Sequence, residues 1–404
     1  MTGNLNGKRL LSNKMDNLFL HQQRFLDRNL SRSALIHATG TGKTKLACHW
    51  ALQRGGITLI VCPKALRPAW LREIKETNVS AVLVLTKEEF RRDGDKLKKF
   101  DNLIWDECHL SALSKSQTAK VLHAYIKRYS PNRLFLTATI YTSSPWAIYN
   151  LATLLGYNLN YVKFKTTFFS DIRMGARIVP VAKKGTEAKL ADIVKRIADV
   201  VALEDVIDAP PQVHETPEEY ELTSEQHQAI ADAYDPLPIV RFTAQHRIEN
   251  QSPLKLARIR QLIEENPKIA IVCRYLEQIE TVKRAMEAIK RAGSPVMPYI
   301  LSGDTKDRDA VSRAAEVATE AVVIIQSDMG IGFELPSFPI CVFASMSYSY
   351  ASYIQMLGRF LRVNRPSRTV FLYLLTEGDS VDKAVWDAIQ NKKDFDIELY
   401  ARNK

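Results

Sequence analysis

Long apolar runs are missing from this 404-residue sequence. No stretch approaches the roughly 18 residues needed to cross a membrane. The opening segment MTGNLNGKRLLSNKMDNL (1–18) also lacks the apolar core of a secretory leader. Cysteine is scarce and scattered: Cys48, Cys62, Cys108, Cys273 and Cys341 stand singly, without a C-x-x-C pair. That pattern argues against a disulfide framework and a zinc site, and points to a reducing compartment. Low-complexity tracts are absent too. The chain is therefore expected in the cytoplasm, bacterial or host, with no membrane partner.

Acidic residues are short in one half only. Residues 1–200 hold 33 Lys+Arg against 15 Asp+Glu, whereas residues 201–404 hold 23 against 30. The whole carries +11 and a pI near 9.3, which favours a polyanionic partner such as nucleic acid. Hydrophobic residues make up 46% and charged residues 25%. This is the balance of a globular chain with material for two cores.

Short apolar runs alternate with helical spacing. SALIHA (33–38), ITLIVC (57–62), AVLVLT (81–86), NLIWDE (102–107) and RLFLTAT (133–139) read as buried strands. Between them, 43–54, 65–78, 114–129 and 145–155 read as helices. A helix over 185–204 and a Pro- and Glu-rich irregular stretch, 207–222, come next, then a helix over 223–235. A second series follows: 268–275, 295–303, 321–328, 338–346 and 368–375, closed by a helix over about 379–393. The pattern predicts an α/β chain with two domains, each a mostly parallel sheet with helices on both faces. The expected boundaries are 1–204 and 251–404, with an acidic connector over 205–250.

HATGTGKT (37–44) follows a strand and opens a helix, the setting of a phosphate loop. Gly40 and Gly42, with Thr39 and Thr41, let backbone N–H groups turn toward phosphates at a helix N-terminus. Lys43 is placed to reach the β- and γ-phosphates, and Thr44 to hold Mg²⁺. His37 occupies the position where the general pattern has its first glycine. At the end of another strand, IWDECH (104–109) sets two carboxylates side by side, which is costly unless a cation meets them. Asp106 is suited to hold Mg²⁺ and Glu107 to orient and deprotonate a water. His109 has no second His or Cys at ligand spacing and is not read as a metal ligand. In QMLGRFLR (355–362), Gln355, Arg359 and Arg362 fall at i, i+4 and i+7 of a helix. Paired with a phosphate loop, the two arginines become candidates to neutralise charge on a transferring γ-phosphate.

HATGTGKT, WDECH, LTAT and QMLGRFLR occur in the order and spacing of superfamily 2 helicases and translocases, which the chain resembles over nearly its whole length. The resemblance implies two RecA-like domains, ATP with Mg²⁺ in the cleft, and nucleic acid across both domains. VCPKALRPAWLREI (61–74), LTATIYTSSPWAIYNLATLLGY (136–157), the 208–234 segment and GDSVDKAVWDAIQNKK (378–393) resemble the Snf2-like group most closely. The third motif departs from that group, reading Thr137-Ala138-Thr139-Ile140. The group's helical insertions are largely absent. The first domain is short of one strand–helix unit.

The resemblance assigns Gln22, with Gln23 as the near alternative, to adenine. It assigns His109, Thr137 and Thr139 to coupling between the ATP site and the nucleic-acid track. Candidate track residues are Lys64, Arg67 and Thr86 in the first domain. Arg274, Tyr275, Ser302, Gly303, Ser327 and Asp328 at strand ends complete the set in the second. Trp70 reads as core. The implied activity is nucleic-acid-stimulated ATP hydrolysis by a DNA helicase or duplex translocase, acting as a monomer. An RNA helicase and an ATP-gated clamp or loading factor are the alternatives.

Overall fold

The computed structural model describes residues 18–113, 116–138, 145–174, 177–202, 205–206, 214–287, 289–291, 294–329, 332–361 and 369–391, with 394, 395, 397 and 400. Two compact units divide at Ala209/Pro210. Both are α/β, each with a six-stranded sheet flanked by helices, consistent with two RecA-like domains.

The first unit runs α1 (Leu20–Asp27), β1 (Arg32–His37), α2 (Lys43–Arg54), β2 (Thr58–Cys62), α3 (Arg67–Thr77), β3 (Val82–Thr86), α4 (Lys87–Asp93) and β4 (Asn102–Trp105). It continues with α5 (Gln117–Tyr129), β5 (Asn132–Thr137), α6 (Pro145–Leu154), α7 (Tyr161–Phe168), β6 (Phe169–Met174), β7 (Arg177–Ala182), α8 (Glu187–Ile197) and β8 (Ala198–Val201). Its sheet has the order β3-β2-β4-β5-β1-β8, with every pair parallel. Both faces are covered, which is why the strands read as unbroken apolar runs. Ala34, Ile36, Leu59 and Val61 enter one core, and Leu35, Ile60 and Cys62 the other.

The second unit runs β9 (His214–Tyr220), α9 (Ser224–Asp232), α10 (Pro238–Glu249), α11 (Pro253–Glu265), β10 (Lys268–Cys273) and α12 (Leu276–Met286). The small ladder β11 (Lys290–Arg291) with β12 (Ser294–Pro295) follows, then β13 (Tyr299–Leu301), α13 (Arg308–Val317) and β14 (Ala321–Gln326). β15 (Ile340–Phe343), α14 (Tyr350–Phe360), β16 (Val370–Thr376) and α15 (Val381–Gln390) complete it. The sheet order is β13-β14-β10-β15-β16-β9.

Two expectations are corrected, and one element is new. The helix expected over 185–204 stops at Ile197, because Ala198–Val201 pairs with β1 as the sheet's edge strand. The stretch expected to be irregular holds β9, seven residues in parallel register with β16. Pro217 is tolerated there because an edge strand needs hydrogen bonds on one side only. An antiparallel pair, β6 with β7, stands outside both main sheets.

One buried polar cluster ties α10, α11 and α15 together. The Glu249 carboxylate accepts from the N–H groups of Val381 and Asp382, at 3.2 and 3.0 Å, in the first turn of α15. Lys255 is paired with Asp382, which also meets His246 Nε2 at 3.2 Å. Burial alone would raise the Asp382 carboxyl, but Lys255 and then His246 override it and hold it well below the usual range. Glu249, buried beside Asp382, is pushed up to about 7. Lys255→Met leaves a buried carboxylate without its cation. It is expected to cost about 3 kcal/mol or more, read as a lower denaturant midpoint of the full chain. The double variant Lys255→Met/Asp382→Asn is expected to cost less.

Candidate functional site

The parallel order β4-β5-β1 sets three strand ends side by side in the first unit. The loop 38–42 leaves β1, Asp106 and Glu107 leave β4, and Thr137 ends β5. In register, Trp105 lies opposite Phe135 and Ile36 opposite Thr137, so these ends form one edge. Carboxyl ends of parallel strands are where open α/β sheets take ligands.

The loop is built by glycine. Gly40 and Gly42 have φ of 88° and 80°, the left-handed region that other residues avoid. A side chain at Gly42 would also collide with Gln22, whose Nε2 lies 2.5 Å from the Cβ position. Gln22 is fully buried, and its amide group donates to the carbonyls of Thr41 (3.3 Å) and Gly42 (3.0 Å). Its Oε1 accepts from the Phe19 N–H at 2.9 Å. The residue expected to read adenine therefore clamps the loop from beneath in this structure. Gln23 donates to the Leu18 carbonyl at 3.0 Å.

Lys43 opens α2 and donates from Nζ to the carbonyls of His37 (2.7 Å) and Ala38 (3.1 Å). Thr41 Oγ1 donates to Ala38 O at 2.8 Å. His37 is buried, and its Nε2 lies 2.8 Å from Asp199 Oδ2 on β8. Burial lowers the His37 pKa, so the ring is neutral at pH 7 and Nε2–H donates to the carboxylate. That bond fastens the start of the loop to the edge strand. Neither the clamp nor this bond was legible in the motif itself.

Asp106 and Glu107 are both 5% exposed, and Glu107 sits at φ 45°. Asp106 Oδ2 accepts from Trp70 Nε1 at 2.8 Å, and Oδ1 from the Glu107 N–H at 2.9 Å. Lys87 Nζ donates to the Glu107 carbonyl at 2.8 Å. Burial, and then the Glu107 charge, push Asp106 up to about 6 despite the Trp70 bond. Burial in turn lowers the Lys87 pKa. Glu107 Oε2 is buried and accepts no hydrogen bond from the described residues, although His109 Nδ1 lies 3.3 Å away. The pair is thus short of positive charge, and its oxygen donors fit a hard divalent cation such as Mg²⁺. Thr44, in the first turn of α2, is the companion ligand expected from the sequence.

His109 Nδ1 also meets Thr137 Oγ1 at 2.9 Å. Burial holds the His109 pKa down to about 4, so the ring is neutral at pH 7. His109 therefore joins Glu107 to the end of β5. Thr139 lies outside the described residues. Trp70, 1% exposed, is core as its spacing suggested, yet its indole N–H serves the carboxylate. Lys87 escaped the sequence reading because its partner, the Glu107 carbonyl, lies twenty positions away in the chain.

The candidate track residues are spread more widely. Lys64 is exposed in a single 3₁₀ turn after β2. Arg67 pairs with Glu89 at 3.0 Å. Thr86 is 5% exposed and caps α4, accepting from the Glu89 N–H at 3.2 Å. The hydroxyl oxygen accepts in this cap and keeps its own O–H to donate.

In the second unit, Arg274, Tyr275, Ser327 and Asp328 cluster at the ends of β10 and β14. The Arg274 guanidinium lies 3.7 Å from the Tyr348 ring centre, and Arg274 Nη1 lies 3.6 Å from Asp328 Oδ2. Tyr275 Oη meets His246 Nδ1 at 2.8 Å. Ser302 and Ser327 are buried, and the Gly303 N–H donates to Gln326 Oε1 at 3.1 Å. Gln355 and Arg359 are both buried on α14, which ends at Phe360. Arg362 lies beyond that helix and outside the described residues.

A nucleotide-type loop beside paired carboxylates, in a two-unit α/β chain, defines a candidate nucleotide-hydrolysing centre. Residues 254–364 match the family model described as the helicase conserved C-terminal domain. The match covers α11 through α14 and includes every second-unit candidate, from Arg274 to Arg362. That match lies in the second unit alone; it supports a helicase superfamily 1 or 2 member and points to a helicase-type, nucleic-acid-binding ATPase. No curated protein matches the chain.

The Asp106 environment predicts a pH effect. A proton competes with a divalent cation for this carboxylate. Mg²⁺-dependent activity is therefore expected to fall as pH drops through about 6. Trp70→Phe removes the hydrogen bond that lowers the Asp106 pKa. It is expected to move the acid limb of a pH–activity profile upward, with the high-pH plateau retained.

Proposed function

We propose that the chain is an ATP-dependent DNA helicase or duplex translocase, similar in motif content to the Snf2-like group. The observation that carries this reading is the single edge of the first sheet. Along it the glycine-built loop, Asp106–Glu107 and the His109–Thr137 pair stand on neighbouring strands. The helicase C-terminal match in the other unit supports it.

In this reading, backbone N–H groups of residues 39–42 and Lys43 hold the ATP phosphates. Lys43 exchanges the carbonyls of His37 and Ala38 for phosphate oxygens. Thr44 and Asp106 would hold Mg²⁺, which would neutralise phosphate charge. Glu107 orients a water and takes its proton as the water oxygen attacks the γ-phosphorus. The bond to the bridging oxygen breaks, leaving ADP and inorganic phosphate. Arg359, Arg362 and Gln355 keep the roles that the resemblance implies for them. His109, neutral and within reach of Glu107, passes the state of the site to Thr137 and Thr139, and so to the nucleic-acid track.

Lys64 and Arg67 follow β2 at this same edge and supply phosphate contacts, with Thr86 next to them in the sheet. Arg274, Tyr275, Ser302, Gly303, Ser327 and Asp328 supply the second unit's share. DNA rather than RNA is favoured by the Trp70-containing segment 61–74 and by WDECH, which lacks a D-E-A-D tetrad.

The test is the ATPase rate against single-stranded DNA, duplex, branched DNA and RNA, each over a salt series. Stimulation by duplex or branched DNA that falls steeply with salt is expected. No stimulation by any polymer would overturn the reading, and stimulation by RNA alone would make the chain an RNA helicase. Lys64→Glu/Arg67→Glu is expected to weaken DNA binding about tenfold or more. It should also flatten the salt slope by about 0.9 per lost phosphate contact. Charge reversal of two exposed cations on the second unit should do less.

A further inference from the structure

The antiparallel pair β6–β7 and the helix before it form a surface that the hydrolytic site does not use. Residues 161–189 hold seven Lys or Arg and two Asp or Glu, the charge of a polyanion-binding face. Lys163, Arg173, Lys183 and Lys184 are all exposed. The root is aromatic and rigid. Phe164, Phe168 and Phe169 are buried against Trp146, Tyr149, Leu190 and Ile193 of α6 and α8. Trp146 stacks on Phe169, with ring centres 4.5 Å apart and planes within 17°.

The position of this root follows from α6. Gly156, just past the end of α6, lies against Arg32 and Arg133 at the amino ends of β1 and β5. The first turn of α6, which carries Trp146, therefore lies at the opposite, carboxyl edge. That edge holds the phosphate loop, Thr137 and Lys64.

Tyr161 is the distinctive residue. It is 54% exposed although its ring stacks on Trp146, with centres 5.5 Å apart and planes within 19°. An aromatic ring backed by a second ring and open to solvent is a platform for another flat π-system. A base offers its flat face only when it is unstacked, as in a single strand.

We propose that α7 and the β6–β7 hairpin bind a single strand of nucleic acid, with a base stacked on Tyr161 and phosphates on Lys163, Arg173 and Lys184. This rests on the nucleic-acid reading above and adds to it a surface where one strand is held apart from its complement. Lys183 and Lys165 serve the element itself. Lys183 donates to the Thr166 carbonyl at 2.7 Å, and Lys165 pairs with Asp171 at 2.8 Å.

The test is fluorescence anisotropy of the full chain with a labelled single-stranded oligonucleotide and with a labelled duplex. Thermal melting serves as the fold control. Tyr161→Leu, which keeps Trp146 covered but removes the ring, is expected to weaken single-strand binding roughly five- to hundredfold and to spare duplex binding. Tyr161→Phe should bind as the wild type does. Lys163→Glu/Lys184→Glu should flatten the single-strand salt slope by roughly 0.7 for each lost contact. Unchanged single-strand affinity in Tyr161→Leu would overturn the proposal, as would equal losses for single strand and duplex. Wild-type protein that binds neither probe would instead overturn the nucleic-acid reading itself.

Discussion

Two carboxylates buried side by side at the tip of β4 set the terms for the rest of the first unit. Asp106 and Glu107 each lie 5% exposed, where an uncompensated charge is expensive. The chain answers with several partial measures. Trp70 gives Asp106 its indole N–H from α3, and Lys87 holds the Glu107 carbonyl from α4. His109 sits against Glu107 and Thr137. Together these leave Asp106 with a pKa raised to about 6, so the site stays short of positive charge. In the proposed reading, a divalent cation makes good that deficit. α3, α4 and β5 all converge on this one strand tip.

The two units manage buried charge differently. In the second, Lys255 and His246 both pair with Asp382, while Glu249 accepts the Val381 and Asp382 N–H groups. That cluster binds α10, α11 and α15 together. Among the described residues the Asp106–Glu107 pair has no such cation on its carboxylates, and Glu107 Oε2 accepts no hydrogen bond. The difference rests on partners rather than on residue type.

Much of this was legible in the sequence, for physical reasons. Strands buried on both faces read as apolar runs, so β1, β2, β4, β5, β10 and β14 were visible. The loop 38–42 was visible because its glycines stand between a strand and a helix, and both take left-handed backbone. Elements whose reason lies elsewhere in the chain were hidden. Ala198–Val201 looks like the end of a helix until β1 supplies a pairing partner. His214–Tyr220 is acidic and carries a proline, and only an edge position makes it a strand. The bonds from the Gln22 amide to the carbonyls of Thr41 and Gly42 were hidden as well, since they join residues 19 and 20 positions apart. Trp70 was seen as core, and its bond to Asp106 joins residues 36 positions apart.

The central claim is that Glu107 activates water at a site whose nucleotide is held by other groups. The most direct measurement separates ATP binding from ATP hydrolysis in Glu107→Gln. The account predicts Mg·ATP affinity within about threefold of wild type, with turnover lower by roughly a hundredfold or more. Turnover close to wild type in that variant would contradict it.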